Sequence, residues 1–258
     1  MVETVKILGI AVSVLNPQLA IALIHSRVRS RLGGYITVPD VYNITLAAKD
    51  PELARCHRNA FLVSPDGSPL SIVGRLLGHS EMQKVCGPDL LMWACESGVS
   101  LGHRHYFFGG DKQVAARLST SLSQRFPGLV VVGAESPDFK PITTEADLES
   151  CARIRSAQPD IVWVGLGAPK QEYWMAANAE HLPGALLIGV GAAFNFHSGH
   201  VRRAPLWMQR MGLEWAFRLS QEPRRLWRRY LLNGLYFVAN AVPAAVLHRL
   251  RYSNRREL

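Results

Sequence analysis

Asp66 stands in Leu62-Val-Ser-Pro-Asp-Gly-Ser-Pro-Leu70, on a Pro-Asp-Gly turn directly after a short apolar run. A carboxylate held at the end of a buried strand is placed to take a proton from an attacking hydroxyl. A turn aspartate that only caps its own loop has the same look. Far along the chain lie Arg218, Arg225 and Arg228, with Arg224 and Arg229 beside them. Arg225 and Arg228 are three apart, so they share one face of a helix. Guanidinium groups hold phosphate oxygens bidentately; a solvated or lipid-facing basic patch is the competing account. Between these two sets runs Asp160-Ile-Val-Trp-Val-Gly-Leu-Gly-Ala-Pro-Lys-Gln-Glu-Tyr-Trp174. Ile161 to Leu166 reads as a strand buried on both faces. Gly165 and Gly167 let the backbone bend or approach a ligand. Pro169 suits a first helical turn, and Lys170, Gln171 and Glu172 follow where that helix begins. Free amides and a helix dipole converging there make an anion or nucleotide site, although an ordinary strand-to-helix turn fits too. Gly189-Val-Gly191-Ala-Ala-Phe-Asn195 repeats the glycine-rich strand end, and Arg202 and Arg203 bring charge to the same area.

The elements that must position these residues can be read from the pattern. Val5 to Val14 reads as a first strand. Asn16-Pro17 caps a helix that runs to about Arg31. Tyr35 to Val41 is a second strand, a helix follows through Pro51 to His57, and Phe61 to Ser64 is a short strand. Helical stretches cover Leu70 to Leu77 and Pro88 to Glu96. A regular alternation then begins: strand His105 to Gly110, helix Lys112 to Phe126, strand Leu129 to Gly133, helix Glu145 to Ser156, strand Ile161 to Leu166, strand Ala185 to Gly191. Strands alternating with helices of this length predict an α/β, Rossmann-like, mostly parallel sheet with crossover helices. Ligands of such sheets sit beyond the carboxyl ends of the strands. Those ends are glycine-rich at Gly109-Gly110, Gly165-Gly167 and Gly189-Gly191.

After Pro205 the texture changes: the apolar residues from Trp207 to Leu219 suggest a helix, and the chain divides into a core of residues 1–205 and a helical appendage of residues 206–258. Residues 202–258 carry twelve arginines, no lysine and three acids, so the whole net charge of +9 lies there. The first 201 residues are neutral. Tyr230 to Leu247 is apolar and 18 residues long, at the short edge for a membrane span. Arginine clusters flank both its ends, so it reads as a helix lying in a membrane interface, with a helix packed on the protein's own core as the alternative. At 48% hydrophobic and 19% charged, the composition supplies a core and excludes disorder. Cys56, Cys86, Cys95 and Cys151 have neither zinc nor redox spacing. His103-x-His105 and His197-x-x-His200 each lack a third ligand. Lys6-Ile-Leu-Gly reads as a strand and not as the opening of a secretion signal, which predicts a cytosolic chain. A nucleic-acid platform would bring lysines and a helix-turn-helix, and neither is present. A dehydrogenase would need Gly-x-Gly-x-x-Gly and an acid about 20 residues on. The remaining rival is a basic adaptor that binds membrane or nucleic acid through residues 202–258.

Asp66 in Pro-Asp-Gly, Gly87-Pro-Asp-Leu90, GLGAPKQE (165–172), GVGAAFNF (189–196), RRAP (202–205), Glu214-Trp215-x-x-Arg218-Leu219 and Glu222-Pro-x-Arg225-x-x-Arg228 occur in one order. The series resembles the WecG/TagA/CpsF family of bacterial glycosyltransferases (glycosyltransferase family 26) from about residue 5 to 230. The resemblance implies an inverting, metal-independent transfer of a hexose from a UDP-sugar to a sugar on a polyprenyl-diphosphate carrier. The product would be a cell-surface polysaccharide such as teichoic acid or exopolysaccharide, made peripherally on the inner face of the cell membrane with no cofactor. Asp66 matches the family's base and Thr37 its strand-end threonine, both expected to be catalytic, and Gln171 matches the glutamine at the donor. Arg218, Arg225 and Arg228 match arginines that close over the diphosphate. Gly165, Gly167, Lys170, Glu172, Gly191, Asn195 and Arg203 stand in the shared motifs and are expected around the substrate. Two departures bear on sugar specificity. Ile36-Thr37-Val38-Pro39-Asp40 lacks the asparagine of the family's Thr-x-Asn, and Asn195 stands where aspartate is common. The absence of an Asp-x-Asp flanked by apolar residues agrees with arginines in place of a metal at the leaving diphosphate. A homo-oligomer stays open.

Overall fold

The computed structural model describes residues 2–111, 113–137 and 147–253, and of residues 244 and 247–253 it describes the backbone alone. Among the described residues there are eight strands: β1 Thr4–Ile7, β2 Ile10–Ser13, β3 Gly34–Thr37, β4 Leu62–Val63, β5 Arg104–Gly109, β6 Val130–Glu135, β7 Ile161–Gly165 and β8 Leu186–Gly189. β3 to β8 form one parallel sheet in the order β4-β3-β8-β7-β5-β6, with helices on both faces. This is the α/β, Rossmann-like sheet expected from the alternation of elements.

β7 is buried on both faces: Ile161, Val162, Trp163 and Val164 are each 0% exposed. Side chains alternate across a pleated strand. Phe107 and Trp163 therefore join one apolar layer, under the helices Pro17–Arg29, Gly87–Gly98 and Val114–Arg125. Tyr106, Phe108, Val162 and Val164 join the opposite layer, under Leu148–Ser156 and Lys170–Asn178. The expected helix starts at Lys112 and Glu145 lie outside the described residues, as do Arg255 and Arg256 of the basic tail.

Three local readings change. Val5 to Val14 is not one strand but the antiparallel hairpin β1-β2, because Leu8 (φ 50°) and Gly9 (φ 85°) make a two-residue turn with both residues left-handed. The second strand stops at Thr37 and not at Val41. Asp40 accepts a hydrogen bond from the Asn43 backbone N–H (2.9 Å) and caps the helix Val41–Ala47. The helical stretch around Trp207 to Leu219 is two short helices, Leu206–Arg210 and Glu214–Gln221, on either side of Gly212.

The chain then runs through Pro223–Trp227, a π-helical turn Arg228–Leu232 and the helix Asn233–Ser253. That last helix presses Phe237, Ala241 and Ala245 onto the helices Val41–Ala47 and Ser68–Leu76, in one apolar cluster with the hairpin. The alternative of packing on the protein's own core therefore holds for this inner face. The outer face leaves Leu235 69% and Val238 58% exposed, continuous in sequence with exposed Leu231 and Leu232. Among the described residues, no helix is long and apolar enough to cross a membrane.

Candidate active site

A cavity of about 830 Å³ opens at the carboxyl ends of β3, β4, β5, β7 and β8. Residues between Gly212 and Leu235 close it from the other side. Gly165 lines it and could not carry a side chain, since a Cβ there would lie 2.7 Å from the Phe194 ring.

Asp66 reaches this cavity from the loop after β4. Backbone bonds fix the loop: Asp66 N–H donates to the Pro39 carbonyl (3.2 Å), Val85 N–H to the Pro65 carbonyl (3.0 Å) and Ser64 N–H to the Thr37 carbonyl (2.8 Å). Gly67 follows at φ 96° and lets the chain turn into the helix Ser68–Leu76. Burial first, and then Asp40 and Glu214, raise the Asp66 carboxyl to about 7, against the pull of Lys84 and Arg218. A carboxylate poised there can both gain and lose a proton near neutral pH, as a general base must.

Arg218 and Arg225 line the cavity as expected, and Arg229 does so in place of Arg228. Arg228 is exposed, with its guanidinium 5.2 Å from the Trp227 ring. A helix turns by about 300° over three residues and about 400° over four, so Arg225 shares its face as closely with Arg229 as with Arg228, and it is Arg229 that lines the cavity. Arg229 pairs with Asp40 at 2.6 Å and lies 4.5 Å from the Tyr42 ring. Burial pushes the Asp40 carboxyl up, but Arg229, the Asn43 N–H and Arg218 outweigh it and hold it below the usual range. Lys84 also lines the cavity, 3.9 Å from Glu214. Asp40, Lys84 and Arg229 were not singled out in the sequence. The first looked like the end of a strand, and a lone lysine and one arginine among five carry no distinguishing spacing.

Gly165, Gly167, Lys170, Gln171, Gly191 and Asn195 all line the cavity. Glu172 does not. Successive helical residues are turned by about 100°, so Gln171 faces the cavity while Glu172 is 0% exposed inside the protein. Thr37 is also fully buried and lies behind the wall, its Oγ1 3.0 Å from His57 Nδ1. His57 Nε2 in turn lies 2.8 Å from Oδ1 of Asn43, which does line the cavity. Arg203 is likewise outside it, tied to Asp89 (2.5 Å) and Glu214 (2.9 Å). Two carboxylates engage its guanidinium and leave it little to offer a substrate; it holds Glu214, which lines the cavity. Among the described residues, the one group of three histidine or carboxylate ligands within reach of a common ion is Glu3, His79 and Glu81. None of these lines the cavity.

A carboxylate raised to about 7 thus shares one cavity with three arginines at the carboxyl ends of a parallel α/β sheet. The profile of the Glycosyl transferase WecG/TagA/CpsF family matches residues 5–251, so the chain belongs to that family and is a glycosyltransferase. It is similar to the N-acetylglucosaminyldiphosphoundecaprenol N-acetyl-beta-D-mannosaminyltransferase of Bacillus spizizenii (strain W23), 31% identical over 193 residues, which covers 75% of this chain and 73% of that protein. The protein of the same name from Bacillus subtilis (strain 168) is 28% identical over 225 residues, 87% of this chain and 76% of the relative.

Proposed function

We propose that this glycosyltransferase moves a hexose from a UDP-sugar to a sugar carried on polyprenyl diphosphate, with inversion and without a metal, in the assembly of a cell-surface polysaccharide. The observation that carries the reading is Asp66, tuned to about 7 in a cavity it shares with Arg218, Arg225 and Arg229. Asp66 takes the proton of the acceptor hydroxyl as its oxygen attacks the anomeric carbon. The bond to UDP breaks on the opposite face, and the guanidinium groups receive the diphosphate charge. Acting as base and not as nucleophile, Asp66 leaves one displacement and an inverted centre. The names of the two Bacillus relatives make N-acetylmannosamine the first donor sugar to try and polyprenyl-diphospho-N-acetylglucosamine the first acceptor. The exposed apolar face of the C-terminal helices, with Arg224 and Arg228 beside it, supports peripheral docking on an anionic membrane at its cytoplasmic side.

The test is a panel of UDP-sugars against a short-chain polyprenyl-diphospho-N-acetylglucosamine, run with and without EDTA. Transfer from one UDP-sugar at an equal rate in chelator is expected. Activity lost in EDTA and restored by magnesium or manganese would refute the metal-free step. Binding to DNA or vesicles with no transfer from any donor would favour the adaptor reading.

A further inference from the structure

Behind the cavity wall lies a buried polar chain that the reaction as written does not use. Gln171 Nε2–H donates to Glu172 Oε1 (3.1 Å), and both side chains are buried, at 3% and 0% exposure. Burial raises the Glu172 carboxyl to about 7, while Gln171 and, on the far side, the Asn43 amide pull it back by favouring the carboxylate; neither Asn43 Nδ2 nor Glu172 Oε2 makes a full hydrogen bond. Asn43 Oδ1 is an acceptor facing His57 Nε2, so that nitrogen carries the ring proton. Burial pushes the ring down to about 4, so it is neutral, and Nδ1 accepts from the Thr37 hydroxyl. Each donor therefore points along one direction, from Thr37 through His57 and Asn43, and from Gln171 on the other side, to a single acceptor at Glu172.

This fixes which end of the Gln171 amide meets the substrate. Above neutral pH, where Glu172 is ionised, a flipped amide would set its carbonyl oxygen against a carboxylate oxygen. With Nε2 committed to Glu172, Gln171 Oε1 is left buried without a partner, 3.4 Å from where a Cβ on the cavity-lining Gly191 would stand. We propose that Glu172 is a positioning residue, which locks Gln171 as a hydrogen-bond acceptor for a hydroxyl or amide N–H of the donor sugar. The proposal rests on the UDP-sugar reading above and adds a specificity determinant to it. A site whose buried acceptor must be satisfied rejects a sugar lacking the matching donor group more strongly than an apolar pocket can.

The experiment is a double-mutant cycle in the full chain, with steady-state transfer from the UDP-sugar that the parent uses. Glu172→Gln keeps the size of the side chain but sets an NH₂ against either Gln171 Nε2 or Asn43 Nδ2. It is expected to lower kcat/KM by about tenfold or more with Gln171 present, and by less than about twofold in a Gln171→Ala background. Affinity for UDP alone, by calorimetry, should not change. An equal loss in both backgrounds would make Glu172 merely structural and overturn the proposal. A parent enzyme that binds no UDP would overturn the donor reading instead. Should Glu172→Gln fail to fold, the parent answers the question by NMR. One Gln171 Nε2–H, assigned by its loss in Gln171→Ala, is expected to exchange slowly with solvent. Exchange as fast as that of an exposed glutamine would show that the amide is not locked and defeat the proposal.

Discussion

Asp66→Asn is expected to lose transfer by about 10²–10⁴-fold and yet to melt at a higher temperature than the parent above neutral pH. Both effects come from the same burial. The carboxyl rises from an ordinary value of 3.8 to about 7, first through desolvation and then through Asp40 and Glu214. An acid whose folded value lies above its unfolded value holds its proton longer in the native state. Its contribution to stability is fully present below the unfolded value and declines as pH rises through the folded one, here between about 4 and 7. Asparagine keeps the shape of the protonated acid and does not titrate. The melting difference between variant and parent should therefore be small at about pH 4 and favour the variant increasingly up to about pH 8. Over the same range, kcat/KM of the parent should climb with a midpoint near 7, and the residual activity of the variant should lose that limb. UDP binding should survive, because the arginines remain. A variant within a few-fold of the parent would remove Asp66 from the role of base. A melting difference that does not vary with pH would show that the carboxyl is not held up by its surroundings.

The sheet was legible because β7 and β8 are buried on both faces and bounded by glycines, a pattern that tertiary context does not override. The ends of elements were less so. Leu8-Gly9 sits inside an apolar run, and neither residue alone announces that both will be left-handed. Asp40 fits the end of a strand and the cap of a helix equally well until Asn43 is seen to donate to it. The site divided along the same line. Residues on strand-end loops, such as Asp66, Gly165 and Gly191, go where the sheet directs them. Residues on the C-terminal helices depend on helical phase, and because a residue three or four positions on shares the same face, spacing alone does not choose between Arg228 and Arg229. Thr37 and Glu172 carried the right motif and the wrong role. Motif matching marks a residue that the site needs, without saying whether it faces the cavity or holds a neighbour that does. The Thr37–His57–Asn43 chain joins residues from β3 and two helices, and no sequence spacing reports such a contact.

Arg218→Ala with Arg225→Ala is expected to reduce transfer by orders of magnitude, and Arg224→Ala with Arg228→Ala to leave it within a few-fold of the parent when the acceptor is water-soluble. The first pair lines the cavity; the second is exposed and lies outside it. A charge-assisted bond to phosphate is worth about 1.5–3 kcal/mol. Two of them amount to roughly 3–6 kcal/mol if they add, or about 10²–10⁴ in rate. Arg225 is 65% exposed and already paired with Glu222 at 2.8 Å, so solvent screening favours the lower end of that range. Vesicle binding should show the reverse order. Sedimentation with anionic vesicles should weaken more for Arg224→Ala with Arg228→Ala, whose side chains are exposed and outside the cavity, than for the cavity pair. Each double variant removes two positive charges from the same stretch of chain, so a diffuse charge effect would lower both activities equally in both variants. Only a division of the tail into an inward face that meets the diphosphate and an outward face that meets lipid gives the crossed result. If the cavity pair instead releases the vesicles while transfer to the soluble acceptor stays normal, the leaving diphosphate is stabilised by other cations of the cavity, Lys84 and Arg229 first among them.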